Sequence, residues 1–233
     1  MMMNITSDLK VYCKTAGADL VGIADLELFR KRLPVFPQNL LDSYRFGISI
    51  GICLKDEIIE EISDCPTPKY AQHYKEINAI LDGVASQISQ WIVQQGFLAK
   101  SILASSIIDE KNLLGNISHK AVARMAGLGW QGKSLLIVNP EYGPRFRLAT
   151  IFTDMHLIPD YPIENRCGTC TECVQACPAS AIKNVSTDSN YLTRDIAIDL
   201  KRCNEKLHEF KAMPHIGASI CGVCIKVCPY GKR

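Results

Sequence analysis

Cys167-Gly-Thr-Cys170-Thr-Glu-Cys173-Val-Gln-Ala-Cys177-Pro178 decides how this chain is read. The spacing is C-x2-C-x2-C-x3-C-P. In it three thiolates wrap one [4Fe–4S] cube, and the fourth is launched toward a neighbouring cube. A second run, Cys221-Gly-Val-Cys224-Ile-Lys-Val-Cys228-Pro229, repeats the last three cysteines and the proline. A full repeat would need a cysteine at Ala218, and Cys203, upstream, is the substitute. One cluster is therefore expected on Cys167, Cys170, Cys173 and Cys228. The other is expected on Cys177, Cys203, Cys221 and Cys224. Pro178 and Pro229 shape the exits from the two runs. Soft thiolates suit iron–sulfur clusters. C-x2-C pairs also serve zinc, but the three-residue gap and the proline fit the ferredoxin pattern better. Crossed ligands would hold the two clusters close enough for electron hopping.

Eight of the eleven cysteines are used in this way. Cys13, Cys53 and Cys65 remain. Cys13 falls in a helical pattern and Cys53 in a strand pattern, so both read as buried structural thiols. The chain opens on Met1-Met2-Met3 with no basic stretch leading into a long apolar core. No secretion signal is read, the location expected is cytoplasmic, and disulfides are not expected. No apolar run reaches the length of a membrane span. A net charge of +2 gives no general electrostatic case for nucleic acid.

Upstream of the cysteines, helical and strand patterns alternate. Ile5, Leu9, Tyr12, Cys13 and Ala16 share a helical face, closed by Gly17. Leu20-Val-Gly-Ile-Ala24 and residues 48–54 read as strands. Residues 31–42, with two prolines, read as loop. A long helix is expected over residues 69–95, with Ile77, Ile80, Leu81, Val84, Ile88, Trp91 and Ile92 on one stripe and Gly96 as its stop. Residues 97–104 read as a third strand. Residues 119–125 read as a short helix capped by Ser118. Residues 134–138 and 146–152 read as two strands joined by the hairpin-like turn Asn139-Pro-Glu-Tyr-Gly-Pro144. The fold expected is an α/β (α+β) N-terminal cofactor-binding domain, residues 1–160, and a C-terminal ferredoxin-like two-cluster domain, residues 161–233.

A cluster pair needs somewhere to send electrons. Ala121-Val-Ala-Arg-Met-Ala-Gly-Leu-Gly-Trp-Gln-Gly-Lys-Ser134 offers paired glycines for close backbone approach, the flat face of Trp130 and the cation of Lys133. Read bare, it is equally a helix C-cap and a turn. Arg124-Met-Ala-Gly-Leu-Gly-Trp-Gln-Gly-Lys133, then Glu141-Tyr-Gly143, then Ile151-Phe-Thr153, then Cys167 onward, resemble in order and spacing the epoxyqueuosine reductase family. So do the opening helix and Leu20-Val-Gly-Ile-Ala-Asp25. That family is related to reductive dehalogenases. The resemblance implies a corrinoid, cobalamin, in the α/β domain, with the clusters reducing its cobalt toward Co(I). It places the corrinoid against the Trp130–Leu148 hairpin, near Lys133, Ser134, Ile137 and Leu148.

The resemblance also breaks in two places. The family's Asp-Thr-Gly-Pro block, whose Asp is the proton donor, aligns through Gly115. Its Asp then falls on Leu113 and its Pro on Asn116, and a leucine delivers no proton. Asp109, Glu110 and His119 are the nearby acids or bases, and no catalytic residue is assigned beyond the candidates Asp109 and His119. The family also continues into a tail that helps hold tRNA. The sequence ends at Arg233, which with the near-neutral charge argues against tRNA as substrate. Three functions stay open. One is a corrinoid-dependent oxidoreductase. The second is a non-catalytic corrinoid-handling protein with a corrinoid-protein partner. The third is a plain ferredoxin-type electron carrier. Each would take electrons from a donor such as a ferredoxin or flavodoxin.

Overall fold

The computed structural model describes residues 5–30, 34–105, 108–109, 114–191 and 193–232. In chain order its elements are α1 (Ile5–Thr15), β1 (Leu20–Asp25), α2 (Glu27–Arg30), β2 (Phe46–Cys53), α3 (Asp56–Glu60) and α4 (Pro68–Gln94). They continue with β3 (Ala99–Ile102), α5 (His119–Met125), β4 (Trp130–Gln131), β5 (Ile137–Val138) and β6 (Phe146–Thr153). The last are α6 (Glu172–Gln175), α7 (Leu200–Lys211) and α8 (Val223–Lys226). The class is mixed α and β, as expected. Among the described residues no helix is long and apolar enough to cross a membrane.

The described chain forms two compact units that interleave along the sequence. One comprises residues 1–52, 78–128 and 147–163; the other comprises residues 53–77, 129–146 and 164–233. A single division at residue 160 was expected. The second unit instead recruits two upstream segments to the cysteine-rich stretch. The physical reason is size: residues 164–233 alone bury few apolar side chains, and small units need extra core.

The first unit is built on a four-stranded sheet of order β1-β2-β6-β3. β1 and β2 are antiparallel, Leu20 opposite Gly51 through Asp25 opposite Phe46. β3 and β6 are antiparallel, Ala99 opposite Thr153. β2 reads Phe-Gly-Ile-Ser-Ile-Gly-Ile-Cys with seven of its eight residues buried, as a strand covered on both faces should. α1 and α5 pack on β1. Gly22 permits the second contact, because a Cβ there would lie 2.1 Å from the Ala126 carbonyl oxygen. Ser118 caps α5 by accepting from the Ala121 N–H at 3.3 Å. In α4 the buried stripe is Ile77, Leu81, Val84, Ala85, Ile88 and Ile92. Ile80, expected on that stripe, is 51% exposed, and Ala85 takes the place next to Val84.

The expected hairpin of residues 134–138 with 146–152 does not form. β5 pairs with β4, Trp130 opposite Val138, and β6 goes to the four-stranded sheet. The turn between them is real. Asn139 Oδ1 accepts from the N–H groups of Glu141 and Tyr142, and Asn139 and Gly143 bridge. β6 is eight residues long and mostly buried, so it gains more between two strands than beside a two-residue one.

Candidate metal centre

The second unit gathers the seven cysteines of the two runs and Cys203, each half-buried. Two local devices aim them. In the first, Asn165 Oδ1 accepts from the Cys167 N–H at 2.8 Å, and the chain then turns through Cys170, whose N–H donates to the Cys167 carbonyl. α6 follows and presents Cys173. In the second, Gly222 takes φ 87° before α8, which carries Cys224. A Cβ at Gly222 would press on Ile62 and Tyr70, so this loop seats tightly on its own unit.

The thiols fall into two sets by their mutual influence. Burial first, then the charges of Cys167 and Cys170, push Cys173 up to about 11. Burial, and then Cys167, Cys173 and Cys170, push Cys228 up to about 11. Cys221 is raised to about 11 by burial, and then by Cys203, Cys177 and Cys65. Cys224 is raised further still, by burial and then by Cys221, Cys173, Cys203 and Cys177. By these influences Cys173 and Cys228 group with Cys167 and Cys170, Cys221 and Cys224 group with Cys177 and Cys203, and Cys65 also acts on Cys221. Cys173 and Cys224 adjoin across the two groups. Bare thiolates packed this way repel one another and lack solvent; a polycation would relieve both. The donor chemistry fits two iron–sulfur cubes. Among the described residues no three His, Cys, Asp or Glu side chains close on a single-ion site.

The wall of this centre is apolar. Leu135, Ala181, Ile182, Tyr191, Ala197 and Ile198 form a buried cluster against which Cys173, Cys177, Cys203 and Cys224 pack. Ile182 and Ile198 bridge in antiparallel fashion, and the Ala181 N–H donates to Cys177 Sγ at 3.4 Å. A low-dielectric wall of this kind controls solvent access to a cluster.

The Trp130–Lys133 segment is part of the frame. Trp130 is 1% exposed, and its Nε1–H donates to Cys167 Sγ at 3.4 Å. Its ring meets Tyr230 edge-on with centroids 4.8 Å apart, and the Arg166 guanidinium lies 5.9 Å from it. Lys133 is 5% exposed and donates to Gly168 O at 2.9 Å, Cys170 O at 2.8 Å and Asn184 Oδ1 at 2.9 Å. Gln131 accepts from Asn165 Nδ2 on its carbonyl and from the Tyr191 N–H on its side chain. Trp130 and Lys133, whose flat face and cation were expected beside a cofactor, are here engaged with the cysteine loop. The indole is enclosed, and all three ammonium protons are engaged.

Of the other expected cofactor contacts, Ile137 is buried in β5, Ser134 is half-buried beside it, and Leu148 is half-buried in the other unit. His119 is held by Thr150 Oγ1 at 2.8 Å and the Leu103 carbonyl at 3.1 Å. Burial pushes it down to about 4. At neutral pH the ring is uncharged and its one proton satisfies a carbonyl, which is a structural role and not that of an acid. Asp109 is half-buried and bridges Leu114 through the backbone. Glu110 and Leu113 lie outside the described residues. Cys13 is fully buried and pushed up to about 12, as a structural thiol should be. Asn165, Gln131, Tyr191 and Asn184 were not foreseen. Only Asn165, two residues before a cysteine, had a local signal.

Comparison with known proteins agrees with this geometry. Residues 166–231 match the family described as a 4Fe-4S double cluster binding domain. Epoxyqueuosine reductase of Bacillus cereus is 36% identical over 267 aligned positions, covering 98% of this chain and 65% of that protein. A solved epoxyqueuosine reductase, bound to an epoxyqueuosine-modified tRNA-Tyr stem loop, superposes with a TM-score of 0.64 at 23% identity, over 97% of this chain and 64% of that one. A reductive dehalogenase, reported with a mechanism for B12-dependent dehalogenation, superposes with a TM-score of 0.76 at 22% identity, over 97% of this chain and 31% of that one. The chain spans just under two thirds of the length of the curated relatives it matches. It is thus related in sequence and fold to the epoxyqueuosine reductases, and residues 166–231 carry an iron–sulfur double-cluster domain.

Proposed function

We propose that this iron–sulfur protein is a one-electron conduit. Cys167, Cys170, Cys173 and Cys228 hold one [4Fe–4S] cluster, and Cys177, Cys203, Cys221 and Cys224 hold the other. Clusters held there would supply one-electron transfer, from a reduced ferredoxin or flavodoxin toward a cobalamin. The observation that carries the reading is the gathering of eight half-buried cysteines in one unit, seven of them in two runs of cluster spacing and all within the matched double-cluster domain. The cobalamin step rests on relationship to the epoxyqueuosine reductases and on the likeness to a B12-dependent dehalogenase fold. The bound corrinoid would supply a strongly reducing metal centre. The chain's own contribution is to hold the clusters dry and close.

Two observations favour a second reading, electron transfer without a corrinoid. Trp130 and Lys133 are committed to the cysteine loop, and the single N–H of neutral His119 is engaged by the Leu103 carbonyl. A tRNA substrate, as bound by the related reductase, would need an acid that these residues do not furnish.

The test is anaerobic reconstitution with iron and sulfide, addition of cob(II)alamin, gel filtration, and visible and electron paramagnetic resonance spectra. About one corrinoid retained per chain, with an altered cobalt signal, supports the first reading. Full cluster signals with no retained corrinoid select the second.

A further inference from the structure

Between Cys177 and Cys203 the chain leaves the centre and returns to it. The neck of this excursion is built from backbone. Ile182 and Ile198 bridge, the Lys183 N–H donates to Ala197 O at 2.8 Å, and the Asp199 N–H donates to Ala181 O at 2.8 Å. Beyond the neck the character changes. Among the described residues, 184–191 make no backbone-to-backbone hydrogen bond. Side chains hold this strap instead. Asn184 Oδ1 accepts from Lys133 Nζ at 2.9 Å, and Asn165 Nδ2 donates to Thr187 O at 2.8 Å. The Asn165 N–H donates to Asp188 Oδ1 at 3.2 Å, and the Tyr191 N–H donates to Gln131 Oε1 at 3.2 Å. The Tyr191 hydroxyl donates back to Val185 O at 2.8 Å, closing the strap on itself. Most of the strap is exposed, and within it Tyr191 alone is buried.

Tyr191 is what the strap contributes to the centre. Its ring belongs to the apolar wall against which Cys173, Cys177, Cys203 and Cys224 pack, so it shields cysteines assigned to both clusters. A segment held by side-chain bonds and mostly exposed opens at lower free energy than one in a backbone ladder. Asn190 Oδ1 favours opening further. It is enclosed and takes no hydrogen bond from the described residues, and water would satisfy it once the strap lifts. We propose that residues 184–191 are an access gate to the cluster centre, hinged at the Lys183–Ala197 neck and latched by Tyr191. Closed, the phenol ring seals the wall. Open, small solutes such as dioxygen reach the centre. Tyr191 acts on access and takes no part in ligation. The inference rests on the two-cluster reading above and adds to it a control on how far the clusters are exposed.

The test uses the reconstituted full chain, wild type against Tyr191→Phe, which removes the hydroxyl and keeps the ring. Visible cluster absorption is followed after transfer from anaerobic to air-saturated buffer. Loss of the bond to Val185 should make opening, and with it bleaching, about fivefold faster. Residue-resolved amide hydrogen exchange by mass spectrometry separates a gate from general loosening. Exchange at residue 191 should rise about fivefold, while the neck amides of Lys183 and Asp199 stay put. Equal bleaching, or exchange that rises at the neck as well, would overturn the proposal. Should Tyr191→Phe fail to load iron, wild type alone decides. Its Tyr191 amide should exchange about tenfold faster than the two neck amides, and equal protection sinks the gate. A chain that takes up no cluster iron would defeat the two-cluster reading and this inference with it. That failure shows before air is admitted, and is distinct from equal bleaching in a loaded protein.

Discussion

A buried ammonium is tolerated only when its protons are used, and Lys133 uses all three on oxygens of the cysteine loop. Lys133→Met keeps the length and the apolar stem but strands Gly168 O, Cys170 O and Asn184 Oδ1. The expected cost is about 3 kcal/mol, with loss of roughly half the bound iron, because one loop and not both depends on it. Iron analysis beside a urea titration checks this, and full iron with unchanged stability would refute it. His119 makes a second residue-scale prediction. Its folded pKa is pushed down to about 4, below the ordinary 6.5, by burial. As pH falls, the unfolded chain therefore takes up the proton first. The stability owed to neutral His119 is complete above about pH 6.5 and is lost as pH drops toward 4, up to about 3 kcal/mol. The slope of the urea midpoint against pH should be shallower in His119→Asn than in wild type over that window. Identical slopes would show that the ring titrates as if solvated.

At the scale of elements, the turn between β5 and β6 carries more than a change of direction. Gly143 takes φ 56°, and a Cβ there would lie 1.9 Å from the Tyr230 carbonyl oxygen. The chain just after Cys228 and Pro229 thus closes onto this turn, and Tyr230 continues to the edge of Trp130 and to the Arg166 carbonyl. Gly143→Ala should cost about 2–4 kcal/mol and should displace Cys228, so that iron loss accompanies destabilisation. Retention of full iron in a destabilised variant would separate the turn from the centre. This turn also marks how far sequence could be read. Local signals were legible: the Ser118 cap, the Gly17 and Gly96 stops, the α4 stripe apart from Ile80, and β2 as an apolar run. Partners were not. Residues 134–138 and 146–152 look like a hairpin because proximity in sequence is the only pairing cue available there, while the true partners of β6 lie about 50 and 100 residues upstream. In the same way the hydrogen bonds that tie Trp130 and Lys133 to the cysteine loop reach partners 35 and more residues away, beyond any local signal.

At the scale of the whole molecule, the interleaving of the units and the crossing of the cysteines have a common logic. Three upstream pieces meet the C-terminal run: α3 and its flanks, the Trp130–Lys133 segment, and the Asn139–Gly143 turn. Arg145 fastens part of this, bonding Asp56 at 3.0 Å and Glu60 at 2.5 Å with its side chain only 3% exposed, while Lys226 of α8 bonds the Glu60 and Ile62 carbonyls. The last cysteine run is therefore held by upstream chain, and it in turn serves both thiol sets. Crossing yields a prediction that simple adjacency would get backwards. Cys228 lies four residues from Cys224, yet it acts on Cys167, Cys170 and Cys173. Cys177 lies four residues from Cys173, yet it acts on Cys221 and Cys224. Cys228→Ser should remove the same electron paramagnetic resonance signal as Cys170→Ser and leave the one lost in Cys221→Ser. Cys177→Ser should behave as Cys221→Ser does. Each variant should keep about half its iron, since the four-thiol set that is left intact still closes a cube. If Cys228→Ser instead matched Cys221→Ser, each run would hold its own cluster, and the two sets drawn here would be wrong.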